Sequence, residues 1–160
     1  MDATDFKILE ILQRDGRIPM TQLAQAISMS TPAAIERVKK LEAAQAIIGY
    51  RALIRPDRVG KEVNAFVLVS VEQARRAAFY QYVKASDSVI EAYDLAGRYT
   101  ALLSVSCADM EEFLKTVYDL YAMGTTETYI ITDLVKNGIY KRPSDSRDDG
   151  RPFHSPGKDL

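Results

Sequence analysis

Apolar residues recur at helical spacing in a first segment near the start of the chain. The repeating positions are Phe6, Ile8, Leu9, Ile11 and Leu12. Asp2 and Asp5 precede the repeat in an arrangement that can cap a helix N-terminus. Gly16 follows it, and we expect this glycine to end the helix in the left-handed conformation. The pattern predicts an amphipathic helix that supports the elements after it.

Residues 19–48 predict two more helices around a tight connection. Thr21 is expected to cap the first of them, whose apolar positions are Leu23, Ala24 and Ile27. The connection, Ser28-Met29-Ser30, is too short and too polar to continue that helix. The second helix should open at Ser30 or Thr31, with Pro32 in its first turn, where a missing N–H costs nothing.

The second of these helices has two unlike sides. A helical wheel places on one side Ala34, Ile35, Val38, Leu41 and Glu42. The other side carries Ala33, Glu36, Lys39 and Lys40, with Arg37 at the boundary. Two helices joined by a short turn form a helix-turn-helix, whose second helix enters the DNA major groove. An ordinary helical hairpin with a solvated charged face has the same spacing, so the pattern alone leaves that alternative open.

The pattern changes after about Ala46, where we place the end of a helix-turn-helix domain over residues 1–46. Residues 47–54 are rich in strand-forming side chains, and Arg55-Pro56-Asp57-Arg58 interrupts them. We interpret residues 47–61 as a β-linker with a short strand.

Residues 62–140 predict a second domain with the element order β-α-β-β-α-β. The predicted segments are a strand at 63–71, a helix at 74–86, strands at 89–95 and 99–107, a helix capped by Asp109, and a strand at 126–134. This order is typical of the ferredoxin-like fold, a four-stranded antiparallel sheet with two helices on one face. The strands stay apolar on the face that the helices leave open, so a second protomer is expected to cover it. Residues 141–160 lack periodicity and are expected to be disordered.

Charge separates the two parts more clearly than composition does. The chain is 47% hydrophobic and 27% charged, with a net charge of −1. Residues 1–61 hold 10 Lys or Arg against 7 Asp or Glu, whereas residues 62–160 hold 11 against 15. This modest asymmetry fits a DNA-facing N-terminal part and a C-terminal part with another role.

Several classes of location and chemistry are disfavoured. No apolar run is long enough to span a membrane, and the acidic amphipathic start, MDATDFKILEIL, does not resemble a signal peptide. The single Cys107 forbids a disulfide framework and suggests the cytoplasm. With His154 as the one histidine, Cys/His metal clusters and histidine-based nucleophilic sites are excluded.

The sequence therefore predicts no catalytic residue, no metal and no cofactor. Glu111 and Glu112 lie in the first turn of a predicted helix, where the helix dipole explains them without catalysis. A cofactor-free enzyme on a dimeric βαββαβ fold stays as an alternative, because fold alone does not determine function.

The ordered motifs of the chain resemble those of the Lrp/AsnC (leucine-responsive, feast/famine) family of transcription regulators. The matching stretches are Asp2-x-x-Asp5-x-x-Ile8-Leu9, Asp15-Gly16-Arg17, Leu23-Ala24, Glu36-Arg37-Val38-Lys39-x-Leu41-Glu42, Gly49-Tyr50, Pro56-x-x-x-Gly60, Gly97-x-Tyr99 and Thr126-x-Thr128-Tyr129. They run in the family's order from residue 2 to about residue 140. The implied fold class is α+β, with a winged-helix-like helix-turn-helix domain joined to a ferredoxin-like domain.

The resemblance implies sequence-specific binding of double-stranded DNA by a dimer, with the helix from Thr31 to Ala43 in the major groove. Thr31, Ala33 and Glu36 would face base edges, and Lys39 and Lys40 would meet phosphates. Arg37 would meet either a phosphate or an acidic partner on the first helix.

The resemblance also implies dimers built through the C-terminal domains, often assembled into octamers, with amino-acid effectors bound between dimers. The effector-binding residues would be Gly97, Arg98, Tyr99, Thr100, Thr126 and Thr128. From the residues alone, Gly97 is equally a plain turn glycine, and the threonines could simply be strand formers.

Two departures from the family pattern lie near this inferred effector site. Thr100 stands where the family usually has Asp, and Tyr121-Ala122 where it often has Pro-Gly. Thr100 keeps a hydroxyl acceptor but loses the charge, so affinity for amino acids should fall or the ligand should differ. An effector-independent DNA-organising protein is the alternative function.

Overall fold

The computed structural model describes residues 1–135 and 138–141. The described residues divide into two units: residues 1–52 with 138–141, and residues 53–135. Within the described ranges, no helix has the length and apolar character needed to cross a bilayer. Apart from Lys141, the tail predicted to be disordered lies outside the described residues, and so does His154.

Three helices form the N-terminal unit: α1 (Ala3–Arg14), α2 (Met20–Ala26) and α3 (Thr31–Ala43). The predicted cap of α1 is confirmed as a reciprocal capping box. The Asp5 N–H donates to Asp2 Oδ1 at 2.9 Å, and the Asp2 N–H donates to Asp5 Oδ2 at 2.8 Å. The core residues are Ile8, Leu12, Leu23, Ala24, Ile27, Ala34, Val38 and Leu41.

One predicted helix start is wrong, and one predicted helix end has another conformation. Gly16 follows the C-cap Asp15 of α1 as predicted, but without a positive φ, and the Asp15 side chain accepts from the Arg17 N–H at 2.9 Å. Thr21 lies inside α2, which begins one residue earlier, after Pro19. The proline φ of −58° already directs the chain into a helix, so no side-chain cap is needed.

The connection and the start of α3 agree with the pattern. Ser28 takes a left-handed φ of 56°, which turns the chain between α2 and α3. Ser30 is the N-cap of α3, and Pro32 lies in its first turn, as predicted. Glu42 was assigned to the apolar side, but it is exposed and accepts a hydrogen bond from the Tyr50 hydroxyl at 3.0 Å.

The predicted strand in the linker is absent, since none of residues 47–61 forms one. The segment is irregular up to a short 3₁₀ helix, Pro56–Val59, which ends at Gly60 with a φ of 73°. Strand-forming side chains are not sufficient here, because an extended segment becomes part of a sheet only when a neighbouring strand pairs with it.

The C-terminal unit has the predicted β-α-β-β-α-β order. Its elements are β1 (Val63–Ser70), α4 (Arg76–Ala85), β2 (Val89–Asp94), β3 (Ala101–Cys107), α5 (Met110–Tyr121) and β4 (Thr125–Ile130). The four strands pair antiparallel in the order β2-β3-β1-β4. This is the ferredoxin-like arrangement. Strands β3 and β4 are shorter than expected, because residues 99–100 and 131–134 make no strand pairs.

One sheet face packs against both helices. Its central residues, such as Val67 and Leu103, are fully buried together with Phe79 of α4 and Leu120 of α5. Cys107 belongs to the same core, with its Sγ 4.0 Å from Thr116 Oγ1, and burial raises the pKa of its thiol.

The opposite face of the sheet, called here the open face, is less apolar than predicted. The strand register places on it Phe66, Leu68, Tyr93, Leu102 and Tyr129, but also Glu91, Ser104 and Glu127. Phe66 is 41% exposed and Tyr129 52% exposed. The open face is therefore a mixed surface, with aromatic and aliphatic side chains beside two carboxylates.

Helix α5 begins after its predicted cap, Asp109, and its apolar residues divide into two stripes. Phe113, Thr116 and Leu120 are buried against the sheet. A second stripe consists of Met110, Leu114, Tyr118 and Tyr121, which are 45–68% exposed. We call these four residues the outer stripe of α5.

Candidate DNA and effector sites

The outer surface of α3 carries the side chains predicted to meet DNA. Glu36, Lys39 and Lys40 are exposed, and Thr31 and Ala33 are half-buried near the start of the helix. Lys39 Nζ lies 3.3 Å from Glu36 Oε1, and both side chains are about two-thirds exposed. Such surface pairs contribute little to stability, so both groups can exchange this contact for another partner.

Arg37 differs from its lysine neighbours because it is paired within its own domain. One guanidinium nitrogen, NH1, lies 2.7 Å from Asp2 Oδ2 and 2.8 Å from Asp5 Oδ1. Each carboxylate uses its other oxygen in the capping box of α1. Of the two partners considered for Arg37, the structure shows the acidic one on α1.

The electrostatics of this cluster agree with its geometry. The Asp5 backbone N–H and then the Arg37 side chain lower the pKa of the Asp2 carboxyl. Hydrogen bonds to Asp2 and Asp5 raise the pKa of Arg37. Asp2 and Arg37 therefore stay charged at neutral pH, and Arg37 connects α3 to the N-terminus of α1. A cavity of about 480 Å³ lies beside this cluster, lined in part by Ala33, Glu36 and Lys40.

Thr100, in the segment between β2 and β3, is buried and hydrogen-bonded to the backbone of its own domain. It is 5% exposed, and its Oγ1 accepts from the Val71 N–H at 2.9 Å and donates to the Val71 carbonyl at 3.3 Å. Its own N–H donates to the Val69 carbonyl at 2.8 Å. The hydroxyl of Thr100 is thus engaged by the end of β1. Gly97, three residues earlier, is exposed, and a side chain added there would meet open space.

Arg98 and Tyr99 lie beside a carboxylate that the sequence analysis did not select. The Arg98 guanidinium carbon is 5.4 Å from the centre of the Tyr99 ring, within cation–π distance. The Tyr99 hydroxyl donates to Glu127 Oε1, and the Tyr129 hydroxyl donates to Glu127 Oε2 at 2.9 Å. These two hydroxyl donors, Tyr99 first, lower the pKa of Glu127.

Thr126 and Thr128 flank Glu127 in the sequence, but alternation along β4 separates their side chains from it. In the register, Thr126 pairs with Val69 and Thr128 with Val67, whose side chains face the helices. Glu127 pairs with Leu68 on the open face. The structure thus groups Arg98 and Tyr99 with Glu127, and it does not bring the two threonine side chains into that group. No motif in the sequence singled out Glu127, and alternation along β4 shows only that it faces away from the two threonines.

A second carboxylate, Glu112, is bound by hydrogen bonds and an ion pair within its own domain. It accepts from the Ala108 N–H and the Ser88 hydroxyl, both at 2.7 Å, and Lys61 Nζ lies 3.1 Å away. The Ala108 N–H contributes most to lowering the pKa of Glu112, which falls to about 2. Glu112 therefore joins the start of α5 to the segments before β1 and β2.

Comparisons with known proteins agree with both parts of the chain. The family model for the AsnC-type helix-turn-helix domain matches residues 1–42, and that for the Lrp/AsnC ligand binding domain matches residues 64–139. The leucine-responsive regulatory protein of Haemophilus influenzae is 32% identical over 143 residues, covering 85% of this chain and 86% of that protein. The HTH-type transcriptional regulator YezC of Bacillus subtilis is 35% identical over 119 residues, covering 72% of this chain and 84% of that one.

The solved structures include a transcriptional regulator with the same fold. This is the L-Met complex of NMB0573 from Neisseria meningitidis, with a TM-score of 0.81 and 28% identity. The match covers 89% of this chain and 96% of that one. These relatives are transcriptional regulators rather than enzymes.

Proposed function

The chain belongs to the Lrp/AsnC family of DNA-binding transcriptional regulators, and from this premise we propose which of its residues meet DNA, a second subunit and an effector. We propose a DNA-binding domain over residues 1–46, a linker over 47–61, and a domain for oligomerisation and effector binding over 62–140. As a regulator of transcription, it would act in the cytoplasm, where bacterial and archaeal DNA is found.

The single observation that carries the DNA-binding proposal is the exposed polar face of α3. Thr31, Ala33 and Glu36 would face base edges, where Glu36 can accept from cytosine N4 and the small residues can touch thymine methyl groups. Lys39 and Lys40 would meet phosphates. A helix-turn-helix places its second helix in the major groove, so these side chains would face DNA together.

Arg37 has a different role in this proposal. Because its guanidinium is bound by two carboxylates, it holds α3 against the cap of α1 instead of neutralising a phosphate. We therefore treat Arg37 as a positioning residue for α3. It should matter for the orientation of the helix and contribute little to the salt dependence of binding.

We propose that the oligomer forms through the C-terminal domain, as a dimer and in the octamers that the family resemblance implies. The support is the exposed apolar surface of that unit, both on the open face around Phe66 and in the outer stripe of α5. Contiguous exposed apolar surface is typical of association sites in soluble proteins. A dimer also suits DNA recognition, since one helix-turn-helix reads few base pairs.

The effector is proposed to be an amino acid, bound near the segment 97–100 and the start of β4. The support is the match to the Lrp/AsnC ligand binding domain and the L-Met complex of the Neisseria relative. Gly97, Arg98, Tyr99, Thr100, Thr126 and Thr128 remain the candidate residues. The engagement of the Thr100 hydroxyl by Val71 leaves it poorly placed to hold an ammonium group.

Titration of the purified full-length chain with its own promoter region tests the DNA proposal. We expect binding of double-stranded DNA that weakens steeply with salt, because bound cationic side chains release counterions from phosphates. Absence of salt-dependent binding at every concentration would contradict it. Calorimetry with each of the twenty amino acids tests the effector, and no heat from any of them would favour the effector-independent DNA-organising role.

A further inference from the structure

An α-amino acid carries an ammonium group, which a binding site has to meet with an acceptor and preferably with a negative charge. The family pattern suggests position 100 for that charge, but Thr100 is neutral and buried. Both hydrogen-bonding functions of its hydroxyl are used by the backbone of Val71. The negative charge must therefore come from another residue, if this chain binds an amino acid in that region.

Glu127 is a carboxylate in the required place. Tyr99, a residue of the inferred site, donates its hydroxyl to one oxygen of Glu127, and Tyr129 donates to the other. These bonds orient the carboxylate and leave further acceptor sites on both oxygens. Within the part of the chain that the structure describes, no Lys or Arg side chain lies within ion-pair distance of Glu127.

A positive group lies close to the same tyrosine. The Arg98 guanidinium packs over the Tyr99 ring, 5.4 Å from its centre, while the hydroxyl of that ring reaches Glu127. One tyrosine thus contacts a positive group over its ring and a negative group at its hydroxyl. A zwitterionic amino acid has the complementary pair of charges, separated by a single carbon atom.

We propose that Glu127, rather than residue 100, accepts the ammonium group of an amino-acid effector, with Arg98 facing the effector's carboxylate. The inference rests on the effector half of the proposed function and names residues for it. Glu127 lies on β4, an edge strand of the sheet, where a ligand could enter at the rim of the open face. Tyr99 and Tyr129 act as positioning residues that hold the carboxylate.

The test uses the full-length chain, the E127Q variant, and two ligands that differ only at the ammonium group. The first is the amino acid that binds the unaltered chain most tightly in calorimetry. The second is its 2-hydroxy acid, in which a hydroxyl replaces the ammonium group. E127Q keeps the size of the side chain and one carbonyl oxygen that accepts hydrogen bonds, and it removes the charge. E91Q makes the same change in another carboxylate of the open face and serves as the matched control.

We expect E127Q to bind the amino acid at least roughly tenfold more weakly, as for the loss of a hydrogen bond between charged groups. Its affinity for the hydroxy acid should change little, and E91Q should resemble the unaltered chain with both ligands. A loss that appears only with the ligand carrying an ammonium group cannot come from a general distortion of the fold.

Four results would overturn the proposal, and they separate it from the broader function. Equal affinity of E127Q and the unaltered chain for the amino acid, or an equal loss with both ligands, would remove Glu127 from the ammonium site. A change in oligomer mass by light scattering, without a change in ligand affinity, would assign Glu127 to a subunit contact. If no amino acid binds the unaltered chain, the effector half of the proposed function fails as well, while promoter binding still reports on the DNA half.

Discussion

Helices α3 and α5 have almost the same length, 13 and 12 residues, and each buries a stripe of three residues in its own unit. They differ in the side chains that they expose. The free side of α3 holds Glu36, Lys39 and Lys40, whereas that of α5 holds the apolar outer stripe. The buried stripe of a helix explains the fold, and the exposed face is where a partner could bind: under the proposed function, DNA on α3 and a second subunit on α5.

We expect the largest effect on stability from substitutions in the buried stripes of α3 and α5. Leu41→Ala in α3 and Leu120→Ala in α5 each remove a buried side chain, 3% and 0% exposed, and each should cost about 2–5 kcal/mol in unfolding free energy. Urea denaturation measures this loss. Under conditions where both variants stay folded, Leu41→Ala should impair DNA binding with oligomer mass unchanged, and Leu120→Ala should do the reverse. Identical functional losses would contradict a division of roles between the helices.

The outer stripe of α5 gives the next effect. Tyr118 is 68% exposed, so Tyr118→Glu should leave the fold intact. If the stripe is a subunit contact, this change should weaken association by about 2 kcal/mol, as for a tyrosine at the centre of an interface. Light scattering over a range of concentrations measures it, with Lys115→Glu, an exposed position of the same helix, as the control. Unchanged mass for both variants would exclude the stripe from the oligomer.

Two substitutions test the exposed face of α3, one at a proposed base contact and one at a proposed phosphate contact. Glu36→Ala should alter preference by about 1–3 kcal/mol at one base pair, since it removes the acceptor for cytosine N4. Lys40→Gln should weaken binding to all sequences alike and reduce the salt slope by about 1. Binding titrations on a set of operator variants at several salt concentrations separate the two. A sequence-specific effect of Lys40→Gln would reverse these assignments.

The smallest effect concerns acid stability at the start of α5. The pKa of Glu112 is about 2 in the folded chain against an ordinary value of 4.5, so the folded state favours the charged form. The resulting stabilisation is complete above about pH 4.5 and is lost as the pH falls toward 2. Because the side chain is one-third exposed, solvent screening should keep the contribution of its ion pair at or below about 1 kcal/mol. Urea midpoints from pH 6 to 2 should fall less steeply for Glu112→Gln, and parallel curves would contradict this.

The elements of both domains could be predicted because their signals are local. Strand β1 is a short, nearly continuous apolar run and α3 has a proline in its first turn, so nearby residues suffice to identify them. The linker strand failed because its formation depends on pairing, which its own residues do not reveal. For α5, one wide apolar surface contained two stripes, and only the packed sheet shows that Thr116 is buried while Tyr118 is not.

The contacts within the sites were harder to predict from the sequence, because they join residues that are far apart in the chain. The Arg37 side chain bonds residues 32 and 35 positions away, and the Tyr99 hydroxyl reaches a residue 28 positions away. Because the acidic partner of Arg37 belongs to a recognisable helix cap, the sequence could name it as one of two options. Glu127 carries no motif of its own, so its place beside Tyr99 appears only when β4 pairs with β1.

The single cysteine of the chain has a practical consequence for labelling. Cys107 is fully buried, and its raised pKa keeps it in the thiol form at neutral pH, whereas thiol-reactive dyes attack the exposed thiolate. The natural sequence therefore behaves as a nearly thiol-free background for site-directed chemistry. A cysteine introduced at the exposed positions Lys39 or Thr128 would be the one thiol that a maleimide reaches. Fluorophores could thus be placed on either half of the molecule without altering its core.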